Sequence, residues 1–216
     1  MGGCKMEQLS WQYKLRNFTS VDIGVFEDYF EKMPYDPYVK GDFRKRRYSS
    51  IKKDHYGKFQ FLPHKKFIQE AKINDLLGDV EREYEELDEE LVSSEDFLKI
   101  VEGFVTLSRI NPYITEIGIH QIRILSSIYI DGEPAPEGRH QDGFDYVGIF
   151  CARRENVSGG ESEVFLNKDD ETPILSKTLD ENELLIVADR DVFHNATKLS
   201  PDGVDLGYRD VFVFTA

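Results

Sequence analysis

The chain has 216 residues, enough for one domain with a sizeable core and short for two. Its 27 Lys and Arg against 41 Asp and Glu leave a formal net charge of -14, which repels phosphate backbones and anionic membranes and so argues against nucleic-acid or membrane partners. Cys4 and Cys151 give no disulfide framework, no apolar run approaches the ~20 residues of a membrane helix, and the start Met1-Gly2-Gly3-Cys4-Lys5-Met6 lacks a signal-peptide pattern, so a cytoplasmic setting is expected.

In chain order, residues 1–15 read as a flexible leader, 16–115 as a mostly helical support and 116–216 as a β core, all within one unit. Ser20 can cap a short helix whose apolar positions Ile23, Phe26, Phe30 and Met33 follow helical spacing until Pro34. The basic run Arg44-Lys45-Arg46-Arg47, reinforced by Lys52 and Lys53, reads as a solvated face or as contacts to the acidic stretch 81–90. A second helix starts near Ser93 or Ser94, with Phe97, Ile100, Val101, Phe104, Val105 and Ser108 on one face, and Asn111-Pro112 stops it. From residue 117 strand signals dominate, over 117–130, 146–153, 161–166, 183–188, 192–199 and 208–215, separated by compact turn sequences such as Asp131-Gly132 and Ser158-Gly159-Gly160. Many short strands at close spacing predict a mainly β sandwich or barrel with the N-terminal helices on one outer face.

Within that β region the chemistry concentrates on His140-Gln141-Asp142 and on His194. Residues two apart in an extended segment point to one side, so His140 and Asp142 can reach one ion, and His194 would complete a 2-His-1-carboxylate set. Such a set leaves coordination positions open for a chelating co-substrate and O₂. Alone the tripeptide is weak evidence, because Asp is abundant and a turn after Pro134 and Pro136 is the bland alternative. In the last strand, alternation puts Arg209, Val211, Val213 and Thr215 on one side and Tyr208, Asp210, Phe212 and Phe214 on the other. If the aromatic side packs on helices, Arg209 points inward and its planar fork suits a carboxylate; a structural salt bridge to Asp145 or Glu161 stays equally open.

Four segments taken together resemble the 2-oxoglutarate/Fe(II)-dependent dioxygenases, in particular a small bacterial group with free L-amino-acid hydroxylases such as isoleucine 4-hydroxylase: 140–145 (HQDGFD), 154–162 (RENVSGGES), 192–194 (VFH) and 207–211 (GYRDV). Weaker matches lie at 43–48, 67–69, Arg82 and 120–124, so the resemblance covers most of the chain from about Tyr38. It implies a double-stranded β-helix (jelly-roll, cupin-like) core. It further implies Fe(II) held by His140, Asp142 and His194, 2-oxoglutarate anchored through its distal carboxylate by Arg209, and O₂ as the other co-substrate. Several related enzymes carry Ser or Thr two residues after that arginine, where this chain has Val211.

An amino-acid substrate would need an anion site, a cation site and a side-chain pocket. Gln121, Arg123, Leu125, Ser127 and Tyr129 share one face of the strand before the Asp131-Gly132 turn, opposite Ile122, Ile124, Ser126, Ile128 and Ile130. If the isoleucine-rich face packs outward, Arg123 and Gln121 point in, Arg123 toward a substrate carboxylate, with Asp145 or Glu161 left for the ammonium; pairing of Arg123 with one of those acids is the structural alternative. His120, on the isoleucine-rich face, reads as a satisfied core histidine, His55 and His64 as surface or packing residues, Asn195 or backbone carbonyls as orienters of the ligating imidazoles, and Gly159-Gly160 as a turn. Three functions follow: hydroxylation of a free amino acid, the same chemistry on a protein or carrier-bound residue, or a non-catalytic cupin-like module holding Zn²⁺. His140, Asp142, His194 and Arg209 standing together favour an enzyme.

Overall fold

Antiparallel strands supply most of the regular structure, as the alternating C-terminal half predicts: 40% of the chain is strand and 14% helix. In the computed structural model, which describes residues 11–216 apart from 72, 74, 75, 77 and 204, the strands are β1 (Tyr13–Asn17), β2 (Arg44–Lys53), β3 (Phe59–Phe61), β4 (Ile117–Ser127), β5 (Tyr146–Glu155), β6 (Val157–Gly159), β7 (Glu161–Phe165), β8 (Leu175–Thr178), β9 (Glu183–Ala188), β10 (Phe193–Ala196), β11 (Leu199–Pro201) and β12 (Leu206–Thr215). The helices are α1 (Glu27–Glu31), preceded by a 3₁₀ turn, α2 (Glu89–Ser93) and α3 (Glu95–Ser108). A seven-stranded sheet in the order β1-β9-β5-β12-β4-β2-β3 is joined by a three-stranded sheet, β10-β7-β8, and by the pair β11-β6. This is a jelly-roll core, and the candidate site lies between the large sheet and β10.

The outer face of the large sheet is made for helices. Ser94 caps α3 by accepting from the Phe97 amide at 3.3 Å, and Arg109 ends it in the left-handed conformation, φ 62. The apolar stripe of α3 then meets β12: Phe97 lies 5.0 Å from Phe212 in an edge contact, and Phe104 stacks on Phe214 at 5.5 Å. Phe26 and Phe30 close over Phe212 from the N-terminal side. Each of these buried rings contributes roughly 1.5–3 kcal/mol of hydrophobic stabilisation. Gly148 on β5 is required here, since a Cβ would stand 2.7 Å from Phe104. Inside the roll a second cluster joins Val147, Leu185 and Val187 of the large sheet to Val164 and Val192.

Register decides what faces inward. β4 and β12 pair so that Arg209 lies opposite Ile124, Val211 opposite Ile122 and Val213 opposite His120. Directly opposed residues share a face, so an inward Arg209 requires an inward isoleucine face on β4 and an outward Arg123. The structure shows this arrangement, against the expectation that the isoleucines pack on helices. Arg123 faces α1, where Asp210 accepts from its Nε at 2.7 Å and its Nη2 at 2.8 Å, and Glu31 accepts from Nη1. The side chain of Gln121 is fully buried on the same outer face.

The N-terminal half is less helical than predicted. Residues 11–15 are not a loose leader: Trp11 stacks on Tyr146 and β1 pairs with β9; residues 1–10, with Cys4, lie outside the described residues. The basic run is strand β2, paired with β4, with Arg44 and Arg46 buried rather than solvated. Arg47 behaves as expected, reaching Asp88 at 2.7 Å and Glu85 at 3.4 Å in the acidic stretch, and Lys45, Lys52 and Lys53 stay partly exposed. Asp22, not Ser20, caps the first helical turn, accepting from Gly24. Among the described residues no helix is long and apolar enough to cross a membrane.

Arg123 and Asp210 are both almost fully buried, at 3% and 1% side-chain exposure. Removing one partner strands the other charge, so Arg123→Ala is expected to lower the free energy of unfolding by about 3 kcal/mol. Urea denaturation measures this, and a loss below about 1 kcal/mol would place the pair among weak surface bridges.

Candidate active site

His140 and His194 are held side by side by backbone pairing. The His140 amide donates to the His194 carbonyl at 3.0 Å and the His194 amide to the His140 carbonyl at 2.9 Å, which sets the two rings 4.5 Å apart. The His140 Nδ1 lies 2.6 Å from the Gly138 carbonyl, so Nδ1 carries the proton and Nε2 keeps a lone pair free. The Asp142 carboxylate faces both imidazoles, 3.7 Å from His140 Nε2 and 3.5 Å from His194 Nε2. The ligand atoms of all three lie within 4.8 Å of one another, a donor set able to hold one metal ion from one side.

The loop carrying Asp142 is fixed by a residue the sequence did not single out. Asp189 is fully buried, and its carboxylate accepts from the amides of Asp142, Gly143 and Phe144 at 2.8 to 3.1 Å while standing 3.1 Å from His194 Nε2. Burial pushes its pKa up, but His194 and these amides outweigh burial and hold it below the ordinary 3.8. Burial pulls His194 down, yet Asp189 and Asp142 leave it above its ordinary value. From the other side, Gln69 donates to Asp142 Oδ1 at 3.0 Å and accepts from Arg82 Nη2 at 2.8 Å. Asp142 is thereby oriented by a relay beginning at a buried guanidinium.

Beside the triad opens a cavity of about 580 Å³, within the size range of small-molecule sites. Its floor is the inner face of the large sheet, with Arg209, Val211, Val213 and Thr215 of β12, His120, Ile122 and Ile124 of β4, Arg44 and Arg46 of β2, and Val147 and Ile149 of β5. Arg209 is 3% exposed, and its Nε and Nη2 have no hydrogen-bond partner among the described residues. Burial pulls its guanidinium below the ordinary value. A buried cation with orphaned donors facing a cavity is a seat for an anion.

Of the predicted site residues, His140, Asp142, His194 and Arg209 are thus brought to one cavity. Arg123, Gln121, Asp145 and Glu161 are not: Arg123 and Gln121 are on the outer face of β4, Asp145 pairs with Arg190 at the surface, and Glu161 accepts from the Thr197 hydroxyl at 3.2 Å. The acids that do line the cavity with Asp142 are Glu133 and Glu137. A backbone carbonyl, that of Gly138, orients His140, whereas Asn195 donates to Glu163. His120 is buried and satisfied as expected, but by Arg46 at 2.8 Å, and it borders the cavity.

Residues 27–215 match the 2OG-Fe dioxygenase family. The chain belongs to that family. Its fold is close to that of a bsmA homologue from Methylobium petroleophilum PM1, with a TM-score of 0.74 and 28% identity over 89% of this chain and 79% of the other. It is also similar to IDO from Bacillus thuringiensis, at TM-score 0.72 and 17% identity over 89% and 81% of the two chains. A third neighbour is TqaL, an Fe(II)/α-ketoglutarate-dependent dioxygenase, at TM-score 0.66 and 13% identity over 94% and 82%. No curated protein sequence matches the chain. Fe(II) is the cofactor, and 2-oxoglutarate and O₂ are the co-substrates. The triad and the orphaned Arg209 donors fit both the metal and the dianion.

Asp189 links the site to stability. Its lowered pKa contributes stability above the unfolded value, lost as pH falls through the folded one. In metal-free protein, Asp189→Asn is therefore expected to flatten the acid limb of the stability–pH curve below about pH 4. Thermal unfolding at stepped pH checks this, and an unchanged acid limb would assign it to other carboxylates.

Proposed function

We propose that this protein is an Fe(II)/2-oxoglutarate-dependent hydroxylase of a free L-amino acid or a close derivative, with succinate and CO₂ as co-products. The observation carrying this reading is the convergence of His140, Asp142 and His194 with the unpartnered donors of Arg209 on one cavity. In the proposed roles His140, Asp142 and His194 hold the metal. Gly138 fixes the His140 ring, while Asp189, through the Asp142 amide, and Gln69, through the Asp142 carboxylate, fix Asp142 before anything binds. Arg209 receives the distal carboxylate of 2-oxoglutarate, with Val211 beside it offering contact but no hydroxyl. When bound, Fe(II) supplies O₂ activation coupled to oxidative decarboxylation of 2-oxoglutarate, one oxygen atom entering succinate and the other the substrate C–H bond. The apolar wall of Val147, Ile149, Ile122 and Val213 excludes water and takes the substrate side chain. Glu137, 19% exposed at its side chain and 3.9 Å from His140 Nε2, replaces Asp145 and Glu161 as the acid available to a substrate ammonium.

Cavity size favours a small substrate over a protein or carrier-bound residue, because both signs of charge and an apolar wall are gathered within about 580 Å³. Anaerobic Fe(II) with 2-oxoglutarate is expected to give a weak visible charge-transfer absorption; no band together with tight Zn²⁺ binding would return the chain to a non-catalytic module. Arg209→Ala is expected to weaken 2-oxoglutarate about 100-fold in titrations of that band, as loss of a charge-assisted bidentate contact requires. Succinate release across the free L-amino acids tests the substrate class. Stimulation only by a protein or carrier-bound substrate would overturn it.

A further inference from the structure

We propose that Arg46 and Arg82 form a second anion seat in the cavity, separate from Arg209, which receives the substrate's own carboxylate; the proposal rests on the reading that the substrate is a free amino acid. Both side chains border the cavity, and the residues are only 8% and 2% exposed. Neither has a carboxylate within 4.0 Å among the described residues, and the Nε of each lacks a hydrogen-bond partner there. Two guanidiniums buried together without a counter-ion are costly unless a ligand supplies the charge.

Their surroundings position them for a planar anion. The Arg46 guanidinium lies over the rings of Tyr84 at 4.7 Å and Phe67 at 5.4 Å, and that of Arg82 over Phe67 at 4.6 Å. Aromatic contact occupies guanidinium faces and leaves the in-plane N–H edges for hydrogen bonding. His120 Nδ1 lies 2.8 Å from Arg46 Nη2 and must be the acceptor, which requires a neutral imidazole. Burial first, and then the neighbouring arginines, hold His120 well below its ordinary pKa, so it steadies Arg46 without adding a competing charge. Arg44 is different, because the buried Asp36 already neutralises it at 2.8 Å.

The seat is distinct from that of Arg209. In the sheet, Arg46 lies opposite Ile122, which lies opposite Val211, so Arg46 is two strands across and two residues along from Arg209. At ~4.8 Å between strands and ~3.4 Å per residue their backbones are about 12 Å apart. Arg82 also reaches Asp142 through Gln69, which puts the seat on the metal side of the cavity. One carboxylate held by Arg46 and Arg82 and another by Arg209 would let two anions occupy the cavity together without sharing a cation.

The test uses full-length protein with Fe(II) and 2-oxoglutarate under anaerobic conditions, titrated with each free L-amino acid and with its primary amide while the visible absorption is followed. The expected result is an amino acid that perturbs the band and binds about 100-fold tighter than its amide, the discrimination of a charge-assisted bidentate contact. Arg46→Gln should compress that ratio to within about fivefold, and Arg46→Lys should restore part of it by returning the charge. Acid and amide binding alike in the unaltered protein, a comparison that needs no variant, overturns the seat, as does an unchanged ratio in Arg46→Gln. A normal band that no free amino acid perturbs overturns the substrate class, and the seat with it, whereas acid–amide parity removes the seat alone.

Discussion

The pairing of β4 with β12 is the constraint on which the rest depends. Ten residues of β12, Leu206 to Thr215, are matched one for one with β4, so a choice of face on either strand is a choice for both. On the outer face Phe212 and Phe214 bind α3, and Arg123 donates to both Asp210 and Glu31, tying β12 to α1. On the inner face Arg209 and Val211 stand beside Ile122 and Ile124. A slip of β12 by one residue would turn Asp210 away from Arg123 toward the cavity and press Arg209 against the phenylalanines of the helices. The aromatic packing of the helices therefore also fixes the direction of the arginine that faces the candidate metal centre.

A second constraint is charge of one sign gathered inside a chain of the opposite sign. The net charge is -14, yet Arg46, Arg82 and Arg209 line one cavity without an acid partner among the described residues. Surface acids raise solubility and set the far field, while buried guanidiniums set the potential at a few ångströms. The negative exterior thus coexists with a cavity whose buried guanidiniums Arg46, Arg82 and Arg209 have no carboxylate partner among the described residues. Asp142, Glu137 and Glu133 place negative charge at the same cavity, so it is polar with both signs rather than uniformly basic.

The C-terminal half was legible because its physics is local. β9 has the predicted bounds, Glu183 to Ala188, and β12 begins two residues early, since apolar alternation and turn residues mark each end. The start of α3 near Ser93 or Ser94 and the aromatic side of β12 were read from spacing, and the structure selects Ser94 as the cap. What failed was non-local. β2 carries arginines, not aliphatics, at the positions facing the cavity, so it lacks the hydrophobic alternation by which strands are recognised, and its buried Arg44 and Arg46 look like a solvated charge run. Arg82 stood out only through the family resemblance, because within the acidic stretch nothing local marks it as buried. The inward face of β4 could be settled only by register with β12, and Asp189 is one acid among many until the fold brings three amides and an imidazole to it.

The unneutralised guanidiniums bear on how long the protein lasts as well as on what it binds. A native state that buries positive charge without counter-ions gives up stability that any matching anion restores, and ligand binding to the folded form shifts unfolding by mass action. A small carboxylate that filled this cavity is therefore expected to raise the unfolding temperature as its concentration rises.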